Sequence, residues 1–327
     1  RKNKKFFNVE GVTCNTNVSK LIKIADSLKI KKIGFNEKSL KRSVRLNLTK
    51  FEIFNDISDY EKMISKKTDI IVFANSGLSS LELLFKLLKL GKKIGIANKE
   101  CIISMGDNFR KLSNKYSTEI VPLDSEHNSI YHLLKQNYGK FKSITITATG
   151  GPFINSKMEK LKKVTFAEAI KHPVWKMGTK ISIDSATMMN KALEMIEAKY
   201  LFNLESNEIN AIIHPQALVH ALVNYENGMS TAIFNKPDMR IPISSLFFKF
   251  DKFKNFKNNL DLTKKTLEFI QIDTNKFPAI KLGYSIMKQG GLAPHVFNYV
   301  NEKLVNLFIN KRIGFLDIVK YNEINIE

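Results

Sequence analysis

The sequence predicts an α/β protein: a parallel sheet with helices on its faces over the first 150 residues, then an α+β domain. Three observations predict it. Short apolar runs alternate with stretches of helical spacing up to residue 150. Beyond 151 the pattern changes to alternating stretches typical of antiparallel strands. Four polar loops each follow an apolar run, as loops do at the carboxyl ends of parallel strands, where ligands bind.

In order, FFNVEGV (6–12) reads as a strand and VSKLIKIADSL (18–28) as an amphipathic helix. KKIGF (31–35), DIIVFA (69–74), KKIGIA (92–97), TEIVPL (118–123) and SITITATG (143–150) read as further strands. SSLELLFKLLKLG (79–91) has helical spacing and a glycine where the helix should stop. The loops ANSG (74–77), ANKE (97–100), LDSEH (123–127) and TGGPF (149–153) are expected to converge on one crevice. After 151 come a helix from Lys157 to His172, the segment HPVWKMG with the single tryptophan Trp175, a strand KISID, and the helix SATMMNKALEMIEAKYLF. AIIHPQALVHALVNY and STAIFN read as antiparallel strands, and the tail from about 255 to 327 as helical. There is no internal repeat and no low-complexity linker.

The chain of 327 residues carries a net charge of +21, with 43% apolar and 25% charged residues, the balance of a globular protein with a sizeable core. Its lysines are spread evenly, without the aromatic-interleaved patch or arginine-rich arm of a nucleic-acid binder, so the charge reads as a solvated surface. No apolar run approaches the ~20 residues of a membrane helix. The two cysteines, Cys14 and Cys101, favour a reducing compartment over a disulfide framework. The start, RKNKKFFNVEG, shows no signal-peptide pattern and lacks methionine, so a cut, processed or incomplete N-terminus is expected.

Asp124 and Glu126 end a buried strand at positions i and i+2, which share a face of an extended chain. Two like charges there repel unless a proton or cation lies between them. The plainer alternative is that Asp124 or Ser125 caps a helix starting near His127, with Glu126 in its first turn. Ser185 stands where an N-cap belongs, between KISID and the next helix. On that helix Asn190, Lys191 and Glu194 fall on one face, beside an apolar stripe of Met188, Ala192, Leu193 and Ile196. The bland reading is a serine cap and a surface Lys191–Glu194 pair worth at most ~0.5 kcal/mol. The other is a grip for an anionic ligand, with the helix N-terminus aiding a phosphate. Asp124, Glu126 and Glu194 then make an oxygen-only site for Mg²⁺ or Mn²⁺.

ANKE (97–100), PLDSEHNSI (122–130), TGGPF (149–153), HPVWKMGTKISIDSATMMNKALEMIEA (172–198), IHPQALVH (213–220) and PDMRIPI (237–243) resemble, in order and spacing, the 1-deoxy-D-xylulose 5-phosphate reductoisomerases. That family converts 1-deoxy-D-xylulose 5-phosphate and NADPH into 2-C-methyl-D-erythritol 4-phosphate in the non-mevalonate isoprenoid pathway. The resemblance implies that Asp124, Glu126 and Glu194 ligate the divalent metal. It also implies that Lys99 and Ser125 meet the substrate's polar end, and that Ser185, Asn190, Lys191, Thr149 and His172 grip its phosphate. HPVWKMG resembles a lid within 149–178, with Trp175 as an apolar cover and Gly178 on the nicotinamide side; without the resemblance Trp175 reads as core. Asn17, Asn98 and Glu100 match cofactor-binding positions, and Asn15 and Thr16 stand at two more without matching the family's residues. His127, His214 and His220 read as structural.

The implied layout is an NADPH-binding Rossmann-like domain (1–150), a catalytic and connective α+β domain (151–290), and the start of a C-terminal helical region (291–327), the family's bundle being largely absent. The chain departs from the family at its start, which lacks the glycine-rich turn. CNTN (14–17) stands where a glycine and a basic residue are usual, and Thr149 replaces a serine. A fragment of a longer enzyme is therefore expected. The resemblance further suggests a homodimer, in a bacterial cytoplasm or plastid stroma. The rival readings are a metal-dependent phosphosugar lyase or aldolase, which needs no nicotinamide, and a basic nucleic-acid-binding protein.

Overall fold

The computed structural model describes residues 6–36, 48–136, 138–247 and 260–325; residues 255–259 and 326–327 of the helical tail expected from the sequence lie outside the described residues. The chain divides into two compact units, Arg1–Ile94 with Leu112–Ile120, and Gly95–Lys111 with Val121–Glu327.

In the first unit, β1 (Gly11–Cys14), β2 (Lys32–Phe35) and β3 (Glu52–Phe54) form a parallel sheet in that order, with Val12 beside Ile33 and Ile33 beside Ile53. Helix α1 (Val18–Leu28) connects β1 to β2 and buries Val18, Leu21, Ile22 and Ala25 against Ile33 and Phe35. It stops at Lys29, whose left-handed conformation turns its N–H back to the carbonyls of Ala25 and Asp26. The strand expected over 6–12 is displaced. Pairing begins only at Gly11, opposite Lys32, and Phe6 and Phe7 remain exposed.

A second sheet is ordered β4 (Ile70–Phe73), β5 (Lys93–Ile96), β6 (Ile120–Pro122), with α2 (Leu81–Leu88), α3 (Lys99–Met105) and α4 (Asp107–Lys115) along the connections. Helix α3 starts where the Asn98 carboxamide oxygen accepts from the Cys101 N–H at 2.7 Å. Beyond β6 the chain enters α5 (Ser125–Leu133).

The second unit holds a mixed sheet, ordered β10 (Ser230–Phe234), β9 (Val219–Tyr225), β7 (Phe141–Ala148), β8 (Ile209–Ile213). β7 runs parallel to β8 and antiparallel to β9, so SITITATG belongs here and not in the N-terminal parallel sheet where its pattern placed it. A run buried on both faces reads alike in either sheet.

The helix expected from Lys157 to His172 is two single turns, α6 (Met158–Leu161) and α7 (Phe166–Ala169). The chain restarts at Thr165, which forms a capping box with Glu168. KISID is not a strand. It lies in α8 (Thr179–Ala186), with the Ser182 N–H on the Gly178 carbonyl and Lys180 paired to Asp184 one turn on. Ser185 is therefore in the last turn of α8 and not an N-cap. The next helix, α9 (Met189–Phe202), begins after Met188, which breaks the run at φ 63°.

Of α9 nearly every side chain is buried, and it packs on α3, α8 and α11 (Ala279–Gln289). Gly283 of α11 sits so close to α9 that an added Cβ would lie 3.1 Å from that of Ala192. Short α10 (Arg240–Ser245) precedes α11; α12 (Ala293–Ile309) and α13 (Asp317–Ile324) complete the helical end. Leu304, Phe308, Phe315 and Ile318 close a core over Phe153, Leu161 and Ile183.

Candidate active site

Asp124 ends the extended run and caps α5: its Oδ1 accepts from the Glu126 N–H at 3.1 Å. The capping reading therefore holds for Asp124, but it uses one carboxylate oxygen and leaves the other facing the Lys99 ammonium at 3.6 Å. Glu126 occupies the first turn, where the Ser125 hydroxyl donates to its carboxylate. Glu194 lies in mid-α9 and is 2% exposed. Ligand atoms from Asp124, Glu126 and Glu194 all lie within 4.8 Å of one another.

Two lysines enter this cluster. Lys99, the first residue of α3, donates to Asn190 Oδ1 at 2.9 Å and to Glu194 Oε1 at 3.1 Å. Lys191 donates to Glu126 Oε1 at 2.9 Å and to the second oxygen of Glu194, and Asn190 donates its amide to Glu194. The i, i+3 and i, i+4 spacing thus brings Asn190, Lys191 and Glu194 together. The Lys191–Glu194 pair is buried, which excludes the surface ion pair of the bland reading.

Three carboxylates against two ammonium groups leave negative charge in excess. Burial alone would raise Asp124, but Lys99, with His127 behind it, holds it well below the usual carboxylate range. Burial also opposes ionisation of Glu194, and Lys191 and Lys99 outweigh it to lower that carboxyl. Glu126 goes the other way. Burial outweighs Lys191, and repulsion from Glu194 and Asp124 adds to it, so the group is pushed up to about 7. Both lysines rise: burial would lower them, but Glu194 and Asp124 dominate at Lys99, and Glu126 and Glu194 at Lys191. A partly buried, oxygen-only set with one carboxyl pushed toward neutrality fits a hard divalent cation, which would relieve the repulsion.

Behind the carboxylates lies a pair of residues that sequence reasoning did not single out as a unit. His127 is fully buried, its Nδ1 3.2 Å from Glu197 and 3.5 Å from Asp124, and its Nε2–H donates to the Glu194 carbonyl at 3.0 Å. Burial would lower His127, but Glu197 and Asp124 raise it to about 9. The available signal was Glu197 at i+3 from Glu194, on the same helix face.

A second group gathers around the TGGPF loop. His172 Nδ1 accepts from the N–H groups of Val174 at 3.2 Å and Trp175 at 2.9 Å, so its proton sits on Nε2, which donates to Thr149 Oγ1 at 3.0 Å. Burial lowers its pKa, consistent with this neutral form. Trp175 is partly exposed, with its ring 6.3 Å from that of His220. His220 in turn feels the Lys191 ammonium and the Asp124 carboxylate. Ser185 lies in the last turn of α8 where the TGG loop crosses it: a Cβ on Gly151 would lie 2.9 Å from the Ser185 carbonyl oxygen.

Of the residues matched to the cofactor, Gly178 is exposed at the start of α8, and Glu100 lies 4.0 Å from the Lys180 ammonium. The Asn98 oxygen is committed to capping α3. Asn15, Thr16 and Asn17 are exposed in the first unit and are not part of this cluster; the Asn17 side chain caps α1 through the Lys20 N–H at 3.0 Å.

Comparisons with known proteins agree along the chain. A family model for 1-deoxy-D-xylulose 5-phosphate reductoisomerase matches residues 1–106, and two for its C-terminal domains match 120–202 and 234–327. The reductoisomerase of Wolbachia pipientis is 38% identical, covering 100% of this chain and 85% of its own. That of Pelagibacter ubique is 39% identical over 96% of this chain and 82% of its own. A solved DOX-P reductoisomerase in complex with NADPH, fosmidomycin and magnesium superposes with a TM-score of 0.91 at 31% identity, covering 100% of this chain and 84% of that one. The Zymomonas mobilis enzyme in complex with NADPH gives 0.90 at 33% identity, over 99% and 86%. With a carboxylate–lysine cluster built on the same fold and similarity over its whole length, the chain belongs to the 1-deoxy-D-xylulose 5-phosphate reductoisomerase family.

Proposed function

We propose that this chain carries out the family's reaction, the NADPH-dependent conversion of 1-deoxy-D-xylulose 5-phosphate to 2-C-methyl-D-erythritol 4-phosphate, at the Asp124–Glu126–Glu194 cluster. The observation that carries this reading is the convergence of three carboxylates, from the start of α5 and from α9, with Lys99, Asn190 and Lys191 in one largely buried hydrogen-bonded set. Asp124, Glu126 and Glu194 would hold Mg²⁺ or Mn²⁺, which would supply Lewis-acid polarisation of the substrate's oxygens. NADPH supplies the hydride.

The chain's own residues do the rest. Lys99 and Ser125 hold the reacting end of the substrate. Lys191 and Asn190, with Ser185, Thr149 and His172, offer a cation and neutral donors to the phosphate. His172 keeps its donor proton on Nε2 because two backbone N–H groups occupy Nδ1. The segment 149–178 closes over the substrate with Trp175 as its apolar cover and excludes water. Gly178, Glu100 and Asn98 contribute to the cofactor side within the second unit, and Asn15, Thr16 and Asn17 are cofactor-binding candidates within the first. The N-terminal 150 residues bind NADPH and also supply Lys99, Asp124, Ser125 and Glu126 to the reacting cluster, which the remainder completes with Glu194 and the lid.

Two coarser properties complete the reading. Among the described residues no helix is long and apolar enough to cross a membrane, and the relatives named are bacterial; a bacterial cytoplasm or plastid stroma fits both. A homodimer follows the family resemblance, and the edge strand β10, with Phe234 and Met229 exposed at its ends, offers a surface for it.

The test is NADPH oxidation followed with 1-deoxy-D-xylulose 5-phosphate and Mn²⁺, using the intact protein and its Asp124→Asn variant. Turnover in the first and a loss of about 100-fold or more in the second is expected, as for removal of a metal ligand. A folded wild-type protein that binds the phosphosugar but leaves NADPH unconsumed overturns the reading.

A further inference from the structure

Away from the carboxylate cluster, a second buried charge demands a reason. Asp184 is 1% exposed, yet it carries a carboxylate with both oxygens engaged. Oδ2 takes the Lys180 ammonium at 2.7 Å, and Oδ1 takes the Asn301 amide, from α12, at 2.8 Å. Burying such a pair is costly, and apolar replacements of similar shape often serve stability better. Asn301 adds to the cost: it is fully buried and its own Oδ1 has no partner. Two helices thus accept unfavourable terms to fix one carboxylate, and through it one ammonium.

That ammonium is placed with purpose. Lys180 stands in the first turn of α8, two residues beyond Gly178 at the end of HPVWKMG, and it keeps 29% of its side chain exposed. Its Nζ lies 4.0 Å from the Glu100 carboxylate on α3, the neighbour of Lys99. Asn301, Asp184, Lys180 and Glu100 therefore form a line of polar contacts from α12 through α8 to the first turn of α3. An ordinary exposed i, i+4 pair would need neither the burial of Asp184 nor the donor from α12.

We propose that Lys180 and Asp184, steadied by Asn301, are positioning residues for the cofactor: they hold the Glu100 carboxylate in the orientation that receives NADPH at the end of the lid segment. The inference rests on the functional reading above, in which Glu100 faces the nicotinamide cofactor. Lys180 and Asp184 act through Glu100 and need not touch the cofactor themselves.

The experiment is a double-mutant cycle on NADPH binding by the intact protein, read by nucleotide fluorescence, with melting temperatures taken alongside. Glu100→Gln, Lys180→Met and Asp184→Asn should each weaken NADPH about tenfold, while Lys180→Arg stays within about twofold of wild type. The Glu100→Gln/Lys180→Met double variant should bind no worse than Glu100→Gln alone. Substrate KM should change little in Lys180→Met. Multiplying losses in the double variant, or a lowered melting temperature with unchanged NADPH affinity, overturns the proposal and leaves the line a structural brace. Wild-type protein that fails to bind NADPH overturns this inference together with the functional reading, whereas binding with no coupling overturns this inference alone.

Discussion

His220 illustrates how single residues acquire properties that their neighbours in sequence do not announce. Burial lowers its pKa, the Lys191 ammonium adds to that, and the group is pushed down to about 4 despite Asn235 and Asp124 pulling the other way. In the unfolded chain a histidine titrates near 6.5. Between those values the unfolded state binds a proton that the folded state refuses, so stability rises with pH there. The contribution is complete above about 6.5 and is lost as pH falls toward 4, amounting to roughly 3 kcal/mol at most. Urea unfolding of wild type and His220→Gln between about pH 7 and 4.5 checks this: the variant should lose less stability on acidification. Equal losses would sink it. The sequence-level view of the site was good where spacing decides. Asn190, Lys191 and Glu194 meet because helix geometry requires it, whereas Asp124 and Glu126 come together as the cap and first turn of α5 and not through the extended i, i+2 spacing expected of them. Glu197 and Asn301 escaped notice because their partners, His127 and Asp184, come from other helices. Nothing local marks a glutamate or an asparagine as buried.

At the scale of elements, the loop TGGPF and helix α8 show a close approach that only glycine permits. Gly151 has φ +64°, and an added Cβ would meet the Ser185 carbonyl oxygen at 2.9 Å and Ala186 Cα at 3.3 Å, both backbone atoms that cannot step aside. Gly151→Ala should therefore cost about 2 kcal/mol or more in chemical denaturation, from strain and collision together. Gly178 is the control: its φ is −66° and nothing lies within 4 Å of an added Cβ, so Gly178→Ala should stay within about 0.5 kcal/mol of wild type. A neutral Gly151→Ala would mean that loop and helix are free to separate. Helix α1 was fully legible because its apolar residues recur at helical spacing against a single sheet face. KISID was not: two isoleucines two apart mimic a strand, and the features that make it helical are the Lys180–Asp184 pair and the packing of Ile183 under α12 and α13. Tertiary contacts overrode the period of a five-residue run.

The whole molecule carries a net charge of +21 yet concentrates carboxylates where the site is built. Even lysine decoration obscured this in composition, and the chain order obscured the division into units. β7 follows a regular alternation of strands and helices, but it pairs with β8 and β9, whose sequences come more than sixty residues later. Once the units are separated, every residue of the carboxylate–lysine cluster falls in the second one. A divalent cation binding there should stabilise what its ligands belong to. At a hundredfold excess over its dissociation constant, a ligand specific for the folded state adds about 2.7 kcal/mol. Hydrogen exchange with and without Mn²⁺, in the absence of substrate and NADPH, resolves where that appears. Slower exchange is expected in the N-terminal turn of α5 and in α3, with β1, α1 and β2 unchanged. Asp124→Asn should abolish the difference. Equal protection of α1, or protection that survives Asp124→Asn, would place the cation elsewhere and dissociate the carboxylate cluster from metal binding.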